Sequence, residues 1–227
     1  MIQIDKLVRS KRKTLSLVVE TDGTLTVRAP LRMKETDMRH FIEVKSDWIK
    51  RKQASVQKEA GVPRQYVDGE SFLYLGKEVP LRLVPAEGPR RGDRKPALVM
   101  DGIFKLAKSA QSRAESVFEA WYKKQARAVL TERAEFYARK FGFKVERIRI
   151  SSARTRWGSC SAKGTLSFTW RLVMAPPEVI DYVVVHELCH LKELNHSKTF
   201  WAQVEAILPG YKSTRKWLKH NGAKLHL

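Results

Sequence analysis

The stretch that decides the reading is Tyr182-Val-Val-Val-His186-Glu187-Leu188-Cys189-His190-Leu-Lys-Glu193-Leu-Asn195-His196. On an α-helix, side chains four apart point the same way, so the imidazoles of His186 and His190 can reach one metal ion. Glu187 then projects beside them, near enough to touch a water on the metal without being a ligand. This is the H-E-x-x-H arrangement of zinc metalloproteases. Neutral imidazole leaves zinc a strong Lewis acid, and the ion lowers the pKa of its water to about 7. A carboxylate at Glu187 would take that water's proton and deliver it to the leaving amine. The flanking residues are apolar on most faces, so the helix is expected to be buried. Two histidines and a glutamate in such a helix need partners, and a metal supplies them.

A catalytic zinc site wants three protein ligands and one open position. His196 lies six residues after His190, the spacing of the third histidine in the H-E-x-x-H-x-x-G-x-x-H pattern, although Glu193 stands where that pattern has glycine. Asn195 is the expected turn residue, since asparagine tolerates a left-handed conformation. Glu193 and Glu205 are the rival third ligands.

Working outward, Pro176-Pro177 opens the helix, which is expected to end near Leu194. Ser197 is placed to cap the next helix, Pro209-Gly210 to stop it, and a last helix covers about Ser213 to His220. Upstream lie a short strand at Arg147–Ile150, the segment Arg154-Thr-Arg156-Trp157-Gly158-Ser-Cys160, and a strand near Thr165–Thr169. A long helix is expected from about Gln111 to Lys140, with Gly142 as its C-terminal cap and a stripe of Val117, Trp121, Val129, Leu130 and Phe136. Residues 66–106 read as β-rich, with turns at Asp68-Gly69 and Leu75-Gly76-Lys77 and a loop from Pro85 to Pro96. Residues 14–28 read as a hairpin with Gly23 in its turn. One helix follows from about Thr36 to Glu59, with Phe41, Val44, Trp48, Ile49 and Val56 on its apolar side and Gly61-Val-Pro63 as its stop.

The run from Arg154 to Leu218 (RTRWGSC, WRLVMAPPEVIDYVVVHELCHLKELNHSKTFW, LPGYKSTRKWL) resembles the YgjP-like zinc metallopeptidase family, also described as WLM-type or SprT-like zincins. The first half matches more loosely, through the early hairpin and Tyr74–Lys77. The resemblance implies an α+β fold: a zincin-like catalytic core with an active-site helix, plus an N-terminal β-rich portion. It carries metal ligation onto His186, His190 and His196 and the general base onto Glu187, with one Zn²⁺ per chain. The expected domains are a β-rich region with one helix at 1–108 and a zincin-like domain at 109–227.

In zincins an edge strand beside the active helix pairs with extended substrate, and Trp157–Cys160 is the candidate here. Gly158 would let a backbone approach closely. Arg154, Arg156, Trp157 and Gly158 are therefore expected to bind substrate, with the two arginines placed to stabilise an oxyanion. Tyr182 is a further candidate for that role. Cys160 as a nucleophile would leave the paired histidines unexplained, and Cys189 reads as a small apolar filler.

The chain has 227 residues, 44 of them basic and 24 acidic, for a net charge of +20. The excess is densest over residues 105–156, where 14 basic and 5 acidic side chains leave a net +9. Such a field attracts polyanions, so nucleic acid is an expected partner beside the protein or peptide substrate. Two cysteines exclude a disulfide framework. The start lacks an apolar signal core and no run reaches the ~20 residues of a membrane helix, so a cytoplasmic address is expected. The first expectation is a zinc-dependent peptidase, in its sharper form one acting on nucleic-acid-associated proteins. The alternative is a non-catalytic, zinc-stabilised binding module with affinity for nucleic acid.

Overall fold

A computed structural model describes residues 2–20, 23–59, 64–85 and 96–227. The chain divides into two compact units, Met1–Arg64 and Gln65–Leu227.

In the first unit, β1 (Lys6–Ser10), β2 (Ser16–Val19) and β3 (Leu25–Pro30) form a sheet of order β1-β3-β2. The expected hairpin is β2–β3, antiparallel, with Gly23 at φ +86°. The added strand β1 runs parallel to β3. The expected single helix is two, α1 (Glu35–Val44) and α2 (Ser46–Glu59). Lys45, at φ −98° and ψ 10°, separates them. Ser46 and Asp47 suit a new helix start, because their short side chains favour helix N-termini. The break rotates the apolar side: Met38, Ile42 and Ile49 are buried, whereas Val44 and Trp48 are exposed. These pack with Leu25, Val27 and Ala29. The expected stop at Gly61–Pro63 and positions 86–95 of the Pro85–Pro96 loop lie outside the described residues.

The second unit begins with β4 (Ser71–Tyr74), β5 (Lys77–Val84), β6 (Leu98–Asp101) and β7 (Ile103–Ala107), in the order β4-β5-β7-β6. Helix α3 (Ala114–Phe141) follows and ends on Gly142 in the left-handed conformation, φ 68°. Its buried line is Ala114, Phe118, Tyr122, Ala126, Leu130, Ala134 and Ala138, one residue in every four. Phe136, expected on the core side, is exposed. Alanines interspersed with larger residues in one ridge leave room for close packing, which a search for large apolar residues passes over. Phe118 stacks on Phe72 of β4 at 4.3 Å, and the Tyr122 hydroxyl donates to the Leu73 carbonyl at 2.6 Å. Strands β4–β7 therefore share one core with α3. This puts the division of the chain at Arg64/Gln65, whereas the sequence reading put it at 108/109.

A second sheet, of order β8-β10-β9, contains β8 (Arg147–Ser151), β9 (Gly158–Cys160) and β10 (Thr165–Thr169). Strand β8 is parallel to β10 and β9 antiparallel to it, so β9 is an edge. A 3₁₀ segment, Trp170–Met174, leads into α4 (Pro177–Cys189), then α5 (Lys198–Ile207) and α6 (Tyr211–Asn221). The architecture is α+β, as expected. Among the described residues no helix is long and apolar enough to cross a membrane.

Candidate active site

Helix α4 carries the site and is fixed at its start and from its side. Pro177 sits in its first turn, where the missing N–H costs nothing. The β4–β5 turn docks against that start: Leu75 and Gly76 donate backbone N–H groups to the carbonyls of Val173 and Met174 at 2.9 and 3.1 Å. A Cβ at Gly76 would lie 2.8 Å from Pro176 Cα, so this turn accepts only glycine. From the side, Arg133 of α3 grips Asp181 through two hydrogen bonds of 2.5 and 2.6 Å, and Tyr137 donates to the same carboxylate at 3.1 Å.

The helix ends at Cys189, with His190 as its cap, and not near Leu194. The chain then tightens, with Leu191 N–H on the Leu188 carbonyl and Glu193 N–H on that of Cys189. Asn195 does not take the expected left-handed conformation: among described non-glycine residues only Tyr66 and Leu75 have positive φ. A turn from Asn195 to Ser197, whose N–H donates to the Asn195 carbonyl at 2.8 Å, brings His196 back instead. Ser197 caps α5 as expected, accepting from Phe200 N–H at 3.1 Å.

This return brings together His186, His190 and His196, whose ligand atoms all lie within 4.8 Å of one another. The Nε2 atoms of His186 and His196 are 3.0 Å apart. Phe200 lies among all three rings, 4.5 Å from His190 and 4.9 Å from each of the others. Neither rival carboxylate, Glu193 or Glu205, joins the cluster. Glu193 contributes its backbone carbonyl, 3.0 Å from His190 Nδ1. That bond places the proton on Nδ1 and turns the Nε2 lone pair toward the cluster, as metal-binding histidines require.

Burial, reinforced by the neighbouring His190 and His196 and by Arg215, pushes the His186 imidazole down to about 3, so it is neutral at pH 7. His196 is lowered by burial, His190 and Arg215. Nδ1 of His186 is buried without a hydrogen-bond partner among the described residues. Three converging nitrogens, two in near contact and the deepest held neutral, fit a divalent metal.

The Glu187 side chain lies against Gly158 of β9. It is 6% exposed, and burial lifts its carboxyl to about 7 against the downward pull of Arg156. A Cβ at Gly158 would lie 2.6 Å from Glu187 Cγ and Oε1. The close approach anticipated for a substrate backbone is thus already used by the Glu187 side chain. A cavity of about 210 Å³ opens here, lined by Trp157, Gly158, Tyr182, Val183, His186, Glu187 and Leu218.

Of the four residues expected to bind substrate, Trp157 and Gly158 line this cavity. The charge of Arg156 reaches Glu187, and that of Arg154 falls on Arg171. Tyr182 is buried, and burial pushes its phenol up to about 12. Cys189 is fully buried, the filler expected. Sequence reasoning missed Leu218 and Arg215. The positions of Phe200 and Trp201 after His196 suit ordinary core packing, yet both rings abut the histidines. Their spacing from His196 carries no signal that separates the two roles.

Residues 13–221 match the family described as YgjP-like, metallopeptidase domain. The chain belongs to the YgjP-like family and is a metallopeptidase of that family. No curated protein sequence matches it. Among solved structures, the crystal structure of the metallopeptidase zymogen of Pyrococcus abyssi abylysin is 26% identical with a TM-score of 0.37, over 40% of this chain and 93% of that one.

Proposed function

We propose that the protein hydrolyses peptide bonds with one zinc ion held by His186, His190 and His196, and with Glu187 as general base. The observation that carries this reading is the convergence of three imidazole nitrogens within 4.8 Å beside a buried glutamate. Three imidazole nitrogens are a usual protein donor set of catalytic zinc. Zinc, when bound, supplies a Lewis acid that polarises the scissile carbonyl and acidifies the attacking water.

The chain's own residues do the rest. Glu187 takes a proton from the attacking water as its oxygen bonds to the carbonyl carbon. It then gives that proton to the amine nitrogen as the C–N bond breaks. Strand β9 offers an open edge along which an extended peptide can pair. The cavity beside Glu187, walled by Trp157, Val183 and Leu218, takes an apolar side chain next to the scissile bond. Cleavage of an unfolded protein by the zinc-loaded enzyme, abolished by chelation and restored by zinc, tests the reading. A zinc-loaded protein that cleaves nothing would favour the non-catalytic binding module.

A second reading places this peptidase in the cytoplasm on nucleic-acid-associated proteins. Arg127, Arg139 and Lys140 are exposed along α3, and Arg147 and Arg149 are exposed on edge strand β8. None of the five makes an ion pair among the described residues. Binding to single- or double-stranded DNA that weakens steeply with salt would support it. Binding no stronger than that of a lysine-rich control protein would remove it.

A further inference from the structure

Arg215 stands at the rim of the site with no carboxylate to answer it. Its guanidinium carbon lies 4.5 Å over the Trp201 ring. Trp201 stacks on His196 at 5.6 Å and on Tyr211 at 5.2 Å, and Tyr211 stacks on Tyr182 at 6.1 Å. A ladder of rings from α4, α5 and α6 thus holds this cation beside the metal ligands. Arg215 makes no hydrogen bond or ion pair among the described residues. Stacking leaves the N–H edge of a guanidinium free to donate in its own plane.

Two arginine charges reach the site. The charge of Arg156 falls on Glu187, and that of Arg215 on His186, His196 and Tyr182. Glu187 lies against Gly158 of β9, whereas Arg215 lies over Trp201, the ring stacked on His196. This cation, stacked beside the histidines, has no carboxylate partner among the described residues. An anion arriving with the reaction offsets it.

We infer that Arg215 is a catalytic residue that stabilises the negative oxygen developing on the scissile carbonyl, with Tyr182 beside it. This rests on the peptidase reading above. When the water oxygen bonds to the carbonyl carbon, the π pair moves onto the carbonyl oxygen and the water's proton moves to Glu187. Arg215, with the Tyr182 hydroxyl, would donate to the oxygen that gains the charge. When the C–N bond breaks, the pair returns to re-form the carbonyl and the Glu187 proton goes to nitrogen.

The test compares zinc-loaded wild type, Arg215→Gln, Arg215→Lys and, as a control on the same helix, Lys212→Gln. Substrates are peptides blocked at both ends and free of acidic side chains. The expected result is kcat about 100-fold lower for Arg215→Gln at little-changed KM, partial recovery in Arg215→Lys and none of the loss in Lys212→Gln. Calorimetry with a phosphinic peptide, whose anionic tetrahedral group mimics the charged oxygen, should show at least about tenfold weaker binding to Arg215→Gln at equal zinc content. Unchanged kcat on blocked peptides with a raised KM for acidic or free-carboxylate peptides would make Arg215 a ground-state recognition residue and overturn the proposal. Equal phosphinic peptide binding by wild type and Arg215→Gln would overturn it too. If wild type hydrolyses nothing, the peptidase reading fails on its own, and the phosphinic arm still decides whether Arg215 holds an anion at the site.

Discussion

Gly158 and Glu187 occupy one space: a Cβ on the glycine would meet Cγ and Oε1 of the glutamate at 2.6 Å. The edge strand therefore fixes the position of the base. Gly158→Ala should displace the Glu187 carboxyl while leaving the three histidines alone. The expected outcome is full zinc content with kcat lower by about 100-fold, the scale of a 1 Å misplacement of a catalytic group. Metal analysis beside single-turnover rates checks this.

The ligand set predicts which carboxylates are dispensable. His190→Ala and His196→Ala should each lower zinc affinity by at least about tenfold. Glu193→Ala and Glu205→Ala should leave it unchanged. The Glu193 substitution is the sharper control, because the carbonyl that orients His190 at 3.0 Å belongs to the backbone and survives. Competition against a chromophoric chelator measures all four.

Metal-free protein should show two opposed pH dependences of stability. His186 is lowered to about 3 by burial and by its histidine neighbours, so between about 6.5 and 3 the unfolded chain binds a proton that the folded chain refuses. Stability is lost as pH falls through that window. Glu187 is raised to about 7 by burial, so from about 4.5 to 7 the folded chain holds a proton that the unfolded chain releases. Stability is lost as pH rises through that window. Metal-free Glu187→Gln should therefore gain on metal-free wild type between about pH 5 and about pH 8. Urea midpoints at the two values read the difference.

The cavity beside Glu187 predicts a preference. Leu218 of α6 is 8% exposed and forms one wall. Leu218→Ala should shift cleavage toward larger side chains next to the scissile bond, with a change of about tenfold or more in relative kcat/KM, since one methylene in an apolar pocket is worth roughly 10–200-fold. Profiling a peptide mixture by mass spectrometry before and after the substitution shows the shift.

Much of the second unit was legible in the sequence because its signals are local. Pro177 opens α4, Ser197 caps α5 and Gly142 ends α3, each through the backbone chemistry of a single residue. The spacing from His186 through His190 to His196 was enough to put the three together. What escaped depends on contacts distant in sequence. Strand β1 has no alternation of its own and is defined by pairing with β3. The buried ridge of α3 is half alanine, so its core face is set by what packs on it. Strands β4–β7 gave no sign that they share a core with α3 rather than with the hairpin before them. Arg215 sits on a helix full of exposed basic residues, and only the ring ladder through Trp201 singles it out.

The most direct test of the central claim compares wild type with Glu187→Gln at equal, measured zinc content on an unfolded protein substrate. The account predicts one zinc per chain in both, hydrolysis by wild type, and a loss of at least about 100-fold in the variant. Equal hydrolysis by the two would contradict it, since Glu187 would then not be the group that moves the proton.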